Sequence, residues 1–390
     1  MIVDIAIVGG GPVGRSIACA LSGSGLSLAL VEPRFPRSIP AADFDMRVYA
    51  LNALSMRCLE RWGVWPRLAH ERVAPVREML VFGDDGSSKL EFDAYRNGVL
   101  ELATIVEDAN LQQALTGCLE EQPDLALLSG VECMRANWTD SAAVLALSNG
   151  VELETKLVIA ADGVESRMRS QAGIDVEVHE YGQKAVVANF HAEKPLRDVA
   201  YQWFRTDGVL ALLPLPRGHV SMVWSTADAH AQDLLAMGGE ELASAVGEAA
   251  SHRLGAMRLT GDASAFVLRR LRATRLIAPR VVLIGDAAHN VHPLAGQGLN
   301  LGIADVQSLA GVICGRGLQS DCGSTVLLRR YERSRREGHM AMECVTDGLH
   351  KLFGSSLPGV PFLRNAGLKL TNRIPPLKKL LVKQALGNAV

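Results

Sequence analysis

The sequence predicts an α/β protein, a doubly wound Rossmann-like part with a smaller antiparallel β-sheet inserted between its pieces. Three observations predict it. Residues 2–32 read as strand, glycine turn, helix, strand. Acidic-glycine pairs recur at the ends of two later apolar strands, at Asp162-Gly163 and Gly285-Asp286. Residues 183–225 alternate apolar and polar around the turn signals Asp207-Gly208 and Pro216-Arg217-Gly218.

The bulk properties agree. A chain of 390 residues exceeds the roughly 250–300 at which one core stops growing, so more than one domain is expected. Hydrophobic content of 48% with 21% charged residues describes a globular rather than a disordered chain. A net charge of -2, with no basic stripe interleaved with aromatics, gives no argument for nucleic acid. The seven cysteines form no C-x-x-C pair, which argues against a zinc site or a disulfide framework and fits a reducing cytosol. Asp4 and the early glycine turn make the N-terminus a strand rather than a signal peptide, and no run approaches the ~18 apolar residues of a membrane span.

Taken in order, Ile2 to Val8 is an apolar strand interrupted only by Asp4. Gly9-Gly10-Gly11-Pro12-Val13-Gly14 follows, then a helical pattern (Ile17, Ala18, Leu21), and a second strand from Ser27 to Val31 that ends at Glu32. Such glycines let a backbone approach a pyrophosphate at a helix N-terminus, and an acid about 20 positions on suits a ribose hydroxyl. The context is specific for a dinucleotide and silent about which one. Residues 50–62 and 105–120 read as helices, 76–93 as two short strands around Gly83-Asp84-Asp85-Gly86, and 142–161 as a hairpin around Asn149-Gly150. Tyr201, Trp203, Phe204, Leu213 and Trp224 read first as core of the amphipathic sheet, with a substrate wall as the alternative.

The most informative stretch is 281–302, VVLIGDAAHNVHPLAGQGLNLG. A buried strand ends at Gly285-Asp286, and a loop rich in Gly, Pro and His leads into a helix at Gly298-Leu299-Asn300. Asp286 can accept a bond from a sugar-type hydroxyl, and unpaired N–H groups at a helix start favour negative charge. Two distant parts of the chain are therefore expected to hold one cofactor. His289 and His292 have no third ligand nearby, so structural roles are expected rather than a metal.

The tail differs electrostatically from the body. From Gly348 to Val390 there is no acid, while seven basic residues give +7 and leave the remainder at -9. After Pro375-Pro376, Leu377, Leu380, Leu381 and Ala385 share a helical face opposite Lys379 and Lys383. Such a helix rests on an anionic membrane or docks on a partner. The plainer alternative is a C-terminal helix covering the body.

Five motifs carry a family resemblance: Gly9, Gly11 and Gly14; Asp45-x-Arg47 followed by Ala50-Leu51; Asp162-Gly163-x-x-Ser166-x-x-Arg169; Gly285-Asp286-Ala287-Ala288-His289; and His292 to Gly302. Tyr331, Arg335, Arg336, Thr346, Asp347, Leu352 and Phe353 add to them. On these the chain resembles the FAD-dependent aromatic-ring flavoprotein monooxygenases, and more narrowly their ubiquinone-biosynthesis hydroxylase branch, over essentially its whole length. It departs from the pattern at Ala160, where a Gly is usual.

The resemblance implies a Rossmann-like FAD-binding domain of the aromatic-hydroxylase type (1–75, 96–180 and 262–345), an inserted β-sheet substrate domain (76–95 and 181–261) and a basic helical tail (346–390). It assigns to FAD the residues Gly9, Gly11, Pro12, Val13, Gly14, Glu32, Arg47, Asp162, Gly163, Gly285, Asp286, Pro293, Gly296, Gly298, Leu299 and Asn300. Pro293, Gly296 and Leu299 also stand as the catalytic set, with Pro293 on the oxygen-reactive side of the ring. The implied chemistry takes electrons from NAD(P)H and one atom from dioxygen to hydroxylate a polyprenylated phenol, with no metal and no second glycine fingerprint. A ubiquinone-biosynthesis complex and contact of the basic tail with the inner face of the membrane, on an otherwise cytoplasmic protein, are the expected associations. Hydroxylation of a soluble aromatic acid and a catalytically idle flavin-binding scaffold are the alternatives.

Overall fold

Ile5, Ala6 and Ile7 are fully buried, as a strand must be when a parallel sheet is covered on both faces. In the computed structural model, which describes residues 1–34, 43–85, 88–290, 298–317, 320–336 and 338, this strand (Ile2–Val8) lies inside the first sheet. Leu28–Glu32 and Glu152–Ala160 flank it in parallel. Leu125–Ser129 and Val281–Leu283 extend the parallel array on either side. The hairpin read at Asn149-Gly150 is present: Ala143–Leu147 runs antiparallel to Glu152–Ala160. The helices Pro12–Ala20 and Gly298–Cys314 bury Ile17, Ala18, Ile303, Val306 and Leu309 against this sheet.

The strand ends that face the cofactor side are fixed by close backbone approach. Gly9 has φ +103°, and a Cβ there would lie 2.3 Å from the Ala161 carbonyl oxygen. A Cβ on Gly14 would lie 1.8 Å from the Gly9 oxygen. Val13, on the same helical turn, packs its methyls where Cβ atoms of Gly285 and Gly302 would stand, 3.1 and 2.6 Å away. The N-terminal turn and the strand-to-helix segment near residue 285 are thereby locked together, although they lie far apart in sequence.

Two segments read as purely helical begin with strands. Val48–Leu51 precedes the helix Ala53–Arg61, and Ala103–Glu107 precedes the helix Asp108–Glu120. The two strands pair with each other, and Ala74–Val76 pairs with the second to complete a three-stranded sheet. Long-range ladder bonds override the local period here, and Asn52 marks the real helix start by accepting the Ser55 N–H at 2.9 Å.

Among the described residues the second sheet has eight strands, in the order His289–Asn290, Met257–Ala273, Val176–Ala192, His219–Ala227, Gly208–Pro214, Val199–Arg205, Glu78–Phe82 and Lys89–Asp93; it is antiparallel as expected except that Val199–Arg205 and Glu78–Phe82 pair in parallel. The two 17-residue strands run through the positions 180/181 and 261/262 at which domain boundaries were expected. On one face Phe190, Trp203, Met222 and Trp224 pack against the helices Asp228–Ala236 and Gly239–Ala249. Trp203 and Trp224 are thus core, and Tyr201 stacks beside Trp203 at 5.5 Å. Phe204 packs with Val81 and Leu90. The opposite face looks toward the parallel sheet.

Gly14→Ala is expected to cost about 3 kcal/mol or more, because its Cβ meets backbone rather than a movable side chain. Denaturant unfolding of the flavin-free protein measures the loss.

Candidate active site

A cavity of about 1220 Å³ opens at the carboxyl ends of the parallel strands and continues beneath the antiparallel sheet. Its nucleotide end is walled by Gly9, Gly11, Pro12, Val13, Glu32, Arg47, Asp162, Gly163, Asp286, Gly298 and Leu299, which the fold brings together from six chain segments. Gly14, Gly285 and Asn300 are not on the wall. Gly14 serves close packing against the Gly9 backbone, Gly285 serves packing against Val13, and the Asn300 side chain is used elsewhere. Its Oδ1 accepts from Asn52 N–H (3.0 Å) and Ser55 Oγ (2.7 Å), and its amide donates to the Ala50 oxygen (2.8 Å). Pro293 and Gly296, like His292, lie outside the described residues.

The glycines divide by function. A Cβ on Gly11 would meet nothing within 4 Å, so chain packing does not require that glycine, whereas Gly9 and Gly14 have no room for one. The open space before Gly11 is on the cavity side, where a pyrophosphate would approach the start of the helix Pro12–Ala20. Glu32 is held at the strand end by the N–H groups of Gly10 (2.5 Å) and Arg34 (2.9 Å). Arg15, unmarked in the sequence reading, is buried against the same turn and donates to the Gly10 oxygen (2.6 Å) and Thr116 (2.6 Å).

Arg47 is exposed and stands on the cavity wall. Tyr49, then the carboxylates of Asp108, Asp286 and Asp45, raise its pKa against the opposing effect of burial. Its guanidinium lies 5.4 Å over the Tyr49 ring, and no carboxylate closes to an ion pair with it among the described residues. Its loop is firmly anchored. Buried Glu107 accepts the Asp45 N–H (2.6 Å) and pairs with Arg72 (2.7 Å), while Asn189 donates to the oxygens of Phe44 and Asp45 at 3.0 Å. Tyr49 donates to Asp108 at 2.8 Å.

The Asp162 carboxylate turns into its own loop, accepting Ser166 Oγ (2.5 Å) and the Met168 N–H (3.1 Å). Arg169 then donates to the Ala287 oxygen at 3.0 Å, so the Asp-Gly-x-x-Ser-x-x-Arg motif staples its loop to the turn at Gly285–Ala287. Within that turn, burial pushes the Asp286 carboxyl above its usual range, opposed by His289, Arg47 and a bond from Asn290. His289 is structural. Its Nε2 bonds Asp305 at 2.6 Å, and the same fully buried carboxylate accepts Gly285 N–H (3.0 Å) and Arg335 Nε (2.7 Å). Tyr331 adds a bond to the Leu283 oxygen at 2.9 Å. Asp305 was missed in the sequence, and its signal is a lone acid on the buried face of an apolar helix, between Ile303 and Val306.

Beneath the sheet the wall becomes apolar, with Ala185, Val187, Ala211, Leu213 and Val223 among its residues. Of the aromatic candidates only Tyr201 reaches the wall. Lys184, Lys194, Arg197, Arg205, Arg217 and His219 do not line it. Among the described residues no cluster of three His, Cys, Asp or Glu is placed to hold a metal, and no helix is long and apolar enough to cross a membrane.

A dinucleotide pocket that opens into a second, apolar chamber under an antiparallel sheet defines a two-part nucleotide-dependent oxidoreductase. The chain belongs to the FAD-binding-domain family, whose model matches residues 2–346. It is 34% identical over 388 residues to the ubiquinone hydroxylase UbiL of Rhodospirillum rubrum, covering 99% of this chain and 90% of that protein. It is also 34% identical over 386 residues to the 3-demethoxyubiquinol 3-hydroxylase of Escherichia coli, covering 98% of each. Among solved structures, the p-nitrophenol 4-monooxygenase PnpA of Pseudomonas putida has the same fold, with a TM-score of 0.80 at 18% identity and full coverage of both chains.

Two substitutions separate the roles of this wall. Gly11→Ala should leave the melting temperature of the flavin-free protein unchanged and weaken FAD binding at least tenfold, measured by quenching of flavin fluorescence. Asp286→Asn should also weaken FAD binding but stabilise the flavin-free protein near neutral pH. Because burial raises the folded-state pKa of Asp286, the wild type loses stability relative to Asn as pH rises through that pKa. Thermal melts of the pair from about pH 4 to about pH 8 should diverge upward.

Proposed function

We propose that this protein is an FAD-dependent monooxygenase that hydroxylates the aromatic ring of a polyprenylated phenol in ubiquinone biosynthesis. The observation that carries it is the continuity of the nucleotide pocket with an apolar chamber. That chamber has no cation on its walls beneath the antiparallel sheet between Val187 and Phe92, among the described residues. A soluble aromatic acid would need a charge there to offset burial of its carboxylate. The similarity to ubiquinone-pathway hydroxylases over nearly the whole chain supports the same substrate class.

In this reading the parallel-sheet part (1–75, 96–180 and 262–345) holds FAD, the β-sheet part (76–95 and 181–261) holds the phenol, and 346–390 is the basic tail. Gly11, with the first N–H groups of its helix, receives the pyrophosphate, and Glu32 accepts from the adenosine ribose. Arg47 and Asp286 hold the phosphate and ribityl oxygens. The helix Gly298–Cys314 starts on the cavity wall at Gly298 and Leu299, so its first N–H groups would hold the flavin ring of a bound FAD and would favour negative charge there. Pro293 and Gly296, outside the described residues, are assigned to the same FAD set by the family resemblance. Bound FAD supplies the redox chemistry, in which NAD(P)H, dioxygen, a proton and the phenol become NAD(P)⁺, water and the hydroxylated ring. The apolar wall excludes water from the reacting ring.

Purified protein should be yellow, bleach with NAD(P)H, recolour in air, and add one oxygen atom to a prenylated phenol as read by mass spectrometry. A flavin that never cycles, even with phenol present, would indicate an idle scaffold. The basic tail is assigned to the inner face of the membrane or to a biosynthetic complex. The full chain should co-sediment with anionic liposomes and a version ending at Leu370 should not, and equal sedimentation would remove that assignment.

A further inference from the structure

The floor of the apolar chamber includes a row of directly opposed cross-strand neighbours: Gln202, Ala211, Val223 and Val187. Residues opposed in this way share a face, and Ala211, Val223 and Val187 line the cavity, so the Gln202 side chain points into it as well. Trp203, the next residue, points the other way into the core beneath the two covering helices.

Gln202 is the exception in this row. It is 6% exposed, all its neighbours in the row are apolar, and its carboxamide has no hydrogen-bond partner among the described residues. The amide opens onto the cavity, so its two donors and two acceptor lone pairs are available to a ligand that displaces water from it. Ser225, the neighbouring polar residue on this wall, makes less demand because a hydroxyl can rotate onto nearby main chain. Ala211 beside Gln202 leaves room for a flat ring.

We propose that Gln202 is the specificity-determining residue of the chamber and that it pairs with the ring oxygen of a neutral phenol. This rests on the functional reading above. A phenol hydroxyl both donates and accepts, as the amide does. An uncharged amide in an apolar floor cannot offset a buried carboxylate, so the same residue selects against aromatic acids.

The test is equilibrium binding to the FAD-loaded enzyme, without NAD(P)H, read from the perturbed flavin absorbance. The probes are 2-prenylphenol and prenylbenzene, which lacks the hydroxyl. Wild type should bind the phenol about tenfold or more tightly than the hydrocarbon. Gln202→Leu and Gln202→Met should bind the two equally, with prenylbenzene bound at least as well as by wild type and FAD affinity unchanged. Variants that keep the wild-type ratio would overturn the proposal, as would wild type binding 4-hydroxybenzoate more tightly than 2-prenylphenol. Because binding is read without turnover, an enzyme that binds with the expected ratio but transfers no oxygen contradicts the functional reading and leaves the role of Gln202 standing.

Discussion

The close approach of backbone around Val13 is the constraint on which the other features depend. Gly9 and Gly14 let the first helix start against the ends of two parallel strands, and Val13 then fills the space left by Gly285 and Gly302. These contacts leave no slack, since protein interiors pack like crystals and atoms of the main chain cannot turn aside. A single side chain therefore fixes the N-terminal fingerprint, the turn at Gly285–Ala287 and the helix Gly298–Cys314 in one arrangement. The nucleotide end of the cavity is the space left over.

The frame uses its buried carboxylates in opposite ways. Asp305 has its capacity filled by Gly285, His289 and Arg335, and a buried charge satisfied in this manner is an anchor. Asp286, one residue beyond the glycine that Asp305 holds, is left with an elevated pKa and weak compensation. A perturbed carboxyl in a cleft is the kind of group found at functional sites, and also in structural ion-pair networks. Arg47 is the cationic counterpart, surrounded by acids yet closed onto none of them.

The sequence was legible where local chemistry and global structure agree. The strand, glycine turn and helix at residues 2–20 are dictated by an apolar run and by glycines with no room for a side chain, so the pattern and the packing say the same thing. It was less legible at 48–51 and 103–107, where partners distant in sequence impose strands on stretches whose period continues into a helix. The wall residues Arg47, Asp286 and Leu299 stand out by motif. Asp305 and Gln202 do not, because their meaning lies in burial and in the presence or lack of a partner, neither of which a single sequence displays. Asp162 and Asn300 are polar motif residues whose side chains turn out to hold the chain to itself.

The chamber floor has a consequence for how such a protein diversifies. Ala211, Val223 and Val187 hang from a ladder whose main-chain bonds do not depend on them, and none contributes a hydrogen bond to the nucleotide frame. A lineage can therefore exchange these small side chains one at a time and reshape what fits above them, while the expensive part of the machine stays untouched. The chamber floor can thus vary while the packing around Val13 stays fixed.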